Sequence, residues 1–483
     1  MSRSEELHSL RLPVDVWYIV MDMLQLPQPD GNIEENPHER YNGWKPKSVA
    51  QRFPHLSNLI NLSSTCTWLR GLIVPRIFAT VELNNTAKSA RSIIAIRQGK
   101  FSKCVKSLRY LAVCDPDQQD LPLSDVYPPE VDDVLANMAC FDNLQKLVVE
   151  FPFDYDTDLF IDYFQDSEFD KDPEAAAMAE SENAFRGLMA ASFRAIISNY
   201  TRYPSSVPFP RSVEINDLNI IMVSTFSTDA FQYFLSQLKT FKLSLIEYDN
   251  GAGWQLNTNS IFASFADCLG SLFFNHLASV EEFSLDPRKS GFLGNAGQAY
   301  CCNISLRAST MPKLRKLTLS NIFICLELQD FLLRHMESLK SIILRDCFAT
   351  VENEWVFGER IRWQDLFNAL VQGPFTQLTS FEFVRKESQR ELLYQNDEHV
   401  DPDLVEQIET RLSKIPHAKV FPYGYVDDKY GFGFVHTEAN QAAFIRGEDH
   451  RSYLDLMAMV HSNAVRDREA PERSGIEKIH CTS

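Results

Sequence analysis

Residues 339–347 read LKSIILRDC, and the spacing of the apolar side chains in this stretch carries the reading of most of the chain. Leu339, Ile342 and Leu344 stand at i, i+3 and i+5, with Cys347 three residues further on. The last two leucine-like positions alternate as on a β-strand whose inward side chains share one face, and the first anchors the turn entering it. Outward from here the same triplet recurs at Leu108/Leu111/Val113, Leu144/Leu147/Val149, Leu238/Phe241/Leu243, Val280/Phe283/Leu285, Leu314/Leu317/Leu319 and Leu378/Phe381/Phe383. Between the triplets, apolar residues fall at helical spacing over Ala175 to Asn199, Phe231 to Leu238, Ile261 to Asn275, Leu328 to Glu337 and Trp363 to Val371. Strand and helix therefore alternate, which predicts an α/β protein.

The LxxLxLxxC run is the signature of a leucine-rich repeat, so the expected stacking is an irregular leucine-rich-repeat-like α/β solenoid over residues 81–420. Uneven spacing between triplets requires large insertions, and the same alternation also permits a compact α/β domain around a parallel sheet. Phe421 to Val435 reads as two strands and Asp449 to Asn463 as a helix, so 421–483 is expected to form a hairpin and helix cap.

Residues 1–80 have a different pattern. Leu12, Val16, Ile19, Val20, Met23 and Leu24 lie on one face of a helix, with Pro13 tolerated in its first turn and Asp15 near its positive end. After a polar stretch, residues 27–55, a second helical run places Leu59, Leu62, Cys66, Leu69 and Ile73 at alternating steps of three and four. Two helices with such narrow apolar faces bury little alone and must pack together and against a partner. The Leu12-Pro13 start, Ile19 and Leu24, the run of Leu62, Cys66, Trp68 and Leu69, and the exit from Pro75 to Phe78 together resemble an F-box, the adaptor-binding module of ubiquitin-ligase substrate receptors. The long insertion departs from that family's pattern. The combined architecture, a small all-helical F-box-like module followed by a leucine-rich-repeat-like domain, resembles fungal F-box proteins.

That resemblance implies binding to a Skp-type adaptor and through it to a cullin ubiquitin ligase core, with a protein substrate held by the repeat domain. The adaptor contacts it implies are Leu12, Pro13, Val16, Trp17, Ile19, Val20, Leu62, Cys66 and Leu69. Candidate target contacts are polar or aromatic positions between or beside the triplet's apolar ones: Arg109, Tyr110, Lys146, Lys239, Glu282, Arg315 and Lys340.

Composition bounds these expectations. With 483 residues and 45% hydrophobic content the chain buries a sizeable core, and a net charge of −18 argues against a general phosphate-binding surface. No apolar run reaches the roughly 18 residues of a membrane span, and no secretory h-region opens the chain, so a cytoplasmic or nuclear location is expected. The ten cysteines form no CxxC pair, and the histidines form no HExxH, so neither disulfides nor a metal is expected. Asp154, Asp156 and Asp158 begin like a calcium loop, but Leu159 occupies the glycine position and Gln165 that of the bidentate glutamate. Lys429 to Val435, KYGFGFV, is similar to the aromatic strand of an RNA-recognition motif, but Thr437 replaces its last aromatic and no companion strand precedes it. Nucleic acid is not an expected partner. With no GxSxG elbow, P-loop or dinucleotide fingerprint, the sequence reads as a non-enzyme without a cofactor: a substrate receptor or, alternatively, a ligase-independent interaction scaffold.

Overall fold

The computed structural model describes residues 54–477 apart from 66, 115–117, 119–120, 153–171, 203–208, 247–253, 295–301, 308–309, 352–360 and 395–400. Two helices open this span, α1 (Pro54–Thr65) and α2 (Thr67–Ile77). Nine strands then build one sheet: β1 (Thr80–Asn84), β2 (Ser107–Leu111), β3 (Lys146–Glu150), β4 (Ser212–Leu218), β5 (Thr240–Leu245), β6 (Glu282–Asp286), β7 (Lys316–Ser320), β9 (Ser341–Arg345) and β11 (Ser380–Val384). Every pairing in it is parallel, and the spatial order follows the chain order without a reversal. A smaller sheet of order β13-β12-β10-β8 is made from β8 (Phe323–Ile324), β10 (Phe348–Thr350), β12 (Tyr423–Val426) and β13 (Gly433–Val435), with only the β12–β13 pair antiparallel.

The crossovers carry α3 (Ala87–Gln98), α4 (Leu123–Val126), α5 (Pro129–Ala136), α6 (Pro173–Glu182), α7 (Ala184–Arg202), α8 (Asp229–Ser236), α9 (Ser260–Leu272), α10 (Leu326–Arg334) and α11 (Trp363–Gln372). The chain closes through α12 (Gln389–Tyr394), α13 (Pro402–Lys414), α14 (Thr437–Arg446) and α15 (Glu448–Glu477). The single helix expected over 175–199 is two, because the Asn183 side chain accepts from the Arg186 amide at 2.9 Å and caps a new start. Gly447 ends α14 in the left-handed region at φ 70°, where a Cβ would also collide with the Arg411 guanidinium.

This architecture corrects the expected fold class. The protein is α/β with a nine-stranded all-parallel sheet flanked by helices, the strand–helix–strand arrangement of Rossmann-like folds, and not a helical module followed by a leucine-rich-repeat-like solenoid. A stack of equivalent repeats needs equivalent crossovers. Here β2–β3 carries α4 and α5, β3–β4 carries α6 and the 19-residue α7, and β6–β7 has no α-helix among its described residues.

The triplets did mark strands, because their second position is the residue that packs. Val81, Leu108, Leu147, Val213, Phe241, Phe283, Leu317, Ile342 and Phe381 stand in register across the nine strands and are buried. Burying each of them stabilises the fold by about 1.5–3 kcal/mol before chain entropy is subtracted. The first triplet was read out of phase. Its register partners make Val105, Leu108 and Tyr110 the inward set, where the sequence suggested Leu108, Leu111 and Val113.

One apolar core extends from Val81 to Val460, and α15 completes it with Tyr453, Leu456 and Val460. Its Asn463 amide donates to the carbonyls of Phe375 (2.7 Å) and Leu378 (3.0 Å), tying the last helix to the entrance of β11. A separate cluster of Leu59, Leu69 and Ile73 belongs to α1 and α2 alone, with Leu62, Leu72 and Ile77 packed against it.

Candidate functional site

The α1–α2 hairpin is the first candidate surface. Of the adaptor contacts implied by the F-box resemblance, Leu12, Pro13, Val16, Trp17, Ile19, Val20 and Cys66 lie outside the described residues. Leu62 and Leu69 turn inward and hold the hairpin's own cluster. Ile60 and Trp68, 48% and 38% exposed, are the large apolar side chains on its surface. A helical wheel places Ile60 one step off the buried Leu59, which is why periodicity alone did not single it out.

The second candidate is the sheet's polar face. Its outward positions alternate with the buried rows, and two ion-pair systems cross it. Glu214 on β4 accepts from Lys146 on β3 (2.8 Å) and Lys242 on β5 (2.5 Å). Burial alone would raise the Glu214 carboxyl, but the hydrogen bonds from the two lysines outweigh it and hold the group below the usual glutamate range. On β2, Arg109 clamps the buried Glu150 carboxylate at 2.7 and 2.9 Å, and Asn216 donates to the same carboxylate at 2.9 Å.

The seven target-contact candidates therefore fall into distinct places. Tyr110 is a correction: the first triplet's shifted register turns its ring into the core, where its hydroxyl meets the Ser192 Oγ at 3.0 Å. Arg109 and Lys146 stand on the polar face with their charges engaged as above. Glu282 is exposed in the first outward row of the sheet. Lys239, Arg315 and Lys340 are brought together with it at the edge where strands enter.

That entry edge is a continuous backbone line. The Lys106 amide donates to Ala79 O (2.8 Å), Gln145 to Lys106 O (2.8 Å), Lys239 to Arg211 O (2.8 Å), Glu281 to Lys239 O (2.7 Å), Arg315 to Glu281 O (2.8 Å) and Lys340 to Arg315 O (2.7 Å). Between Gln145 and Lys239, Arg211 fills the remaining place, because the next residue, Ser212, donates to Gln145 O at 3.3 Å. The side chains of Lys106, Arg211, Lys239, Arg315 and Lys340 are exposed. Sequence reasoning missed Lys106 and Arg211, although both precede strand-like runs at the position equivalent to Lys239.

The exit edge is closed by its own polar groups. Four non-glycine residues there adopt the left-handed region, Asp217 (φ 50°), Arg288 (φ 64°), Asn321 (φ 53°) and Asp346 (φ 48°). Arg288 bridges Asp217 Oδ1 (2.7 Å) and Asp286 Oδ2 (3.2 Å), and Asn321 donates to Asp286 Oδ1 (2.8 Å). Burial raises the Asp346 carboxyl, which accepts from the Lys386 amide at 3.3 Å. In open parallel sheets ligands settle outside strand C-termini where the strand order reverses. This order never reverses, and the carboxylates at the exits are bound to neighbouring side chains or amides.

At the C-terminal hairpin, Phe432 and Phe434 are exposed and continue an aromatic stripe through Tyr430 to Trp254, with ring centroids 5.6 to 6.5 Å apart. The partly parallel small sheet carrying them differs from the all-antiparallel platform on which such aromatic strands stack bases. Among the described residues no three of His, Cys, Asp and Glu are grouped as metal ligands, and no helix is long and apolar enough to cross a membrane. Cys104, Cys140, Cys268 and Cys347 are not in disulfides. No family model matches the chain, and no curated protein matches it.

Proposed function

We propose that this chain is a non-catalytic receptor subunit that joins a Skp-type adaptor of a cullin ubiquitin ligase to a protein target. The observation carrying the proposal is the α1–α2 hairpin. Its apolar cluster is separate from the main core, and it presents Ile60 and Trp68 outward beside the F-box-like run of Leu62 and Leu69. A small module that spends its buried side chains on itself and leaves two large apolar ones at the surface suits a partner that completes it. The sheet's polar face and entry edge supply the second surface. Catalysis in the assembly would come from proximity alone, the target being held near the ubiquitin-loaded enzyme.

Co-purification with a Skp-type adaptor tests this reading, comparing wild type with the double variant Ile60→Asp/Trp68→Ala, both checked for folding by circular dichroism. Retention by wild type and loss by the folded variant support it. If wild type does not retain the adaptor, the ligase-independent interaction scaffold replaces it.

A further inference from the structure

We propose that the strand-entry edge of the nine-stranded sheet docks an acidic, extended polypeptide segment of the target protein. The inference rests on the reading of the sheet as the target-holding part of the receptor, and it names both the place and the chemistry of the contact.

The geometry comes from the backbone line described above. Neighbouring strands are joined by backbone hydrogen bonds at every step of this line, one strand spacing of about 4.8 Å each, so Lys106 and Lys340, six strands apart, lie about 30 Å from one another. Lys106, Arg211, Lys239, Arg315 and Lys340 project from this line, and Lys316 stands exposed one position inward. The only carboxylate within the line among the described residues is Glu281, which holds Lys239 at 3.1 Å and lies 3.9 Å from Arg315. Hydrogen bonding to Lys239 lowers the Glu281 carboxyl below its usual range. Among the described residues no carboxylate comes within ion-pair distance of Lys106, Arg211, Lys316 or Lys340. In a chain of net charge −18, an edge where five cations share the one carboxylate of Glu281 is a local field opposite in sign to the whole.

Charge complementarity selects the occupant. Glu281 and the exposed Glu282 interrupt the line at β6 and divide it into two basic stretches. A nucleic-acid backbone carries a charge on every residue and would meet both carboxylates, besides the acidic remainder of the chain. A peptide can place acidic residues over Lys106–Arg211 and over Arg315–Lys340 and a neutral or basic one opposite Glu282. An extended segment of about ten residues spans the distance.

The test is fluorescence anisotropy of the full-length chain, without adaptor, against three labelled probes: an Asp/Glu-rich dodecapeptide with a central lysine, its charge-reversed counterpart, and single-stranded RNA of twelve nucleotides. The triple variant Lys106→Glu/Arg211→Glu/Lys340→Glu is compared with a control triple, Lys88→Glu/Arg390→Glu/Lys414→Glu, and circular dichroism checks both. The acidic peptide is expected to bind, to weaken at least about tenfold on charge reversal of the entry edge and again between about 50 and 200 mM salt, and to be unaffected by the control. Failure of wild type to bind it, equal binding by the folded entry-edge variant, or entry-edge-dependent binding of RNA instead overturns the proposal. Because no adaptor is present, loss of adaptor binding in the experiment of the previous section leaves this outcome unchanged, and the two failures are separable.

Discussion

Arg109 shows how one residue can be polar, on a strand's outward face and still unavailable to a partner. Its guanidinium neutralises Glu150, whose side chain is almost wholly buried. Removing one member of a buried pair leaves an uncompensated charge, so Arg109→Ala should cost on the order of 3–5 kcal/mol, read as a fall in the urea midpoint. Glu214 makes the companion prediction in pH. Its folded carboxyl titrates below its unfolded value, so the stabilisation is complete above the ordinary glutamate range of about 4.3 and is lost as acid passes through the lower folded value. Melts of wild type and Glu214→Gln should therefore differ most at pH 7 and converge towards pH 3; a gap that widens in acid would contradict the sign. At this scale the sequence was least legible. Nothing in LRYL distinguishes an outward from an inward tyrosine until register with Val149 of the next strand puts Tyr110 in the core.

Among elements, the hairpin of α1 and α2 should behave as a unit. Ile73 is fully buried in the cluster of three that belongs to those helices alone. Ile73→Ala should cost about 2–5 kcal/mol locally and raise amide exchange across Pro54–Ile77 while leaving β2 to β7 protected. Exchange rising equally through the sheet would show that the hairpin is part of the main core. The strands were largely legible for a physical reason: inward side chains must recur at fixed offsets, and six of the seven triplets recorded it in phase. Two large-sheet strands were passed over because the anchoring position is not aliphatic. Phe78 precedes Val81 and Leu83 of β1, and the buried Pro210 precedes Val213 and Ile215 of β4. Strands β8 and β10, two and three residues long, are too short to show any period. The entry-edge cations were half legible. Lys239, Arg315 and Lys340 follow a triplet's first residue, whereas Lys106 was hidden by the phase error and Arg211 by Pro210.

Over the whole molecule, the separation between connected segments and a common core explains both what was foreseen and what was not. Alternating strand and helix indicated α/β, but only the unequal crossovers and the nine-stranded pairing decide against stacked repeats. The core is closed by α15, whose Tyr453 packs against Phe367, Phe381 and Phe421 at ring-centroid distances of 5.3 to 6.3 Å. Truncation before Glu448 would uncover these rings and orphan the carbonyls bound by Asn463. The shortened chain should melt at lower temperature and bind a hydrophobic dye at temperatures where the intact protein does not. A shortened chain with an unchanged melt would remove α15 from the core's closure.

The strand order has a further consequence for how the molecule comes into being. Because both sheets add strands only in the direction of the chain, each new strand emerging from a ribosome finds its neighbour already made, and no early strand waits for a distant one to be inserted beside it. Assembly can proceed vectorially, one strand at a time, with an unpaired growing edge until β11. The last helix then acts as the stop on that edge, so a nascent chain halted short of α15 would present an unfinished apolar end to chaperones while its first strands are already in place.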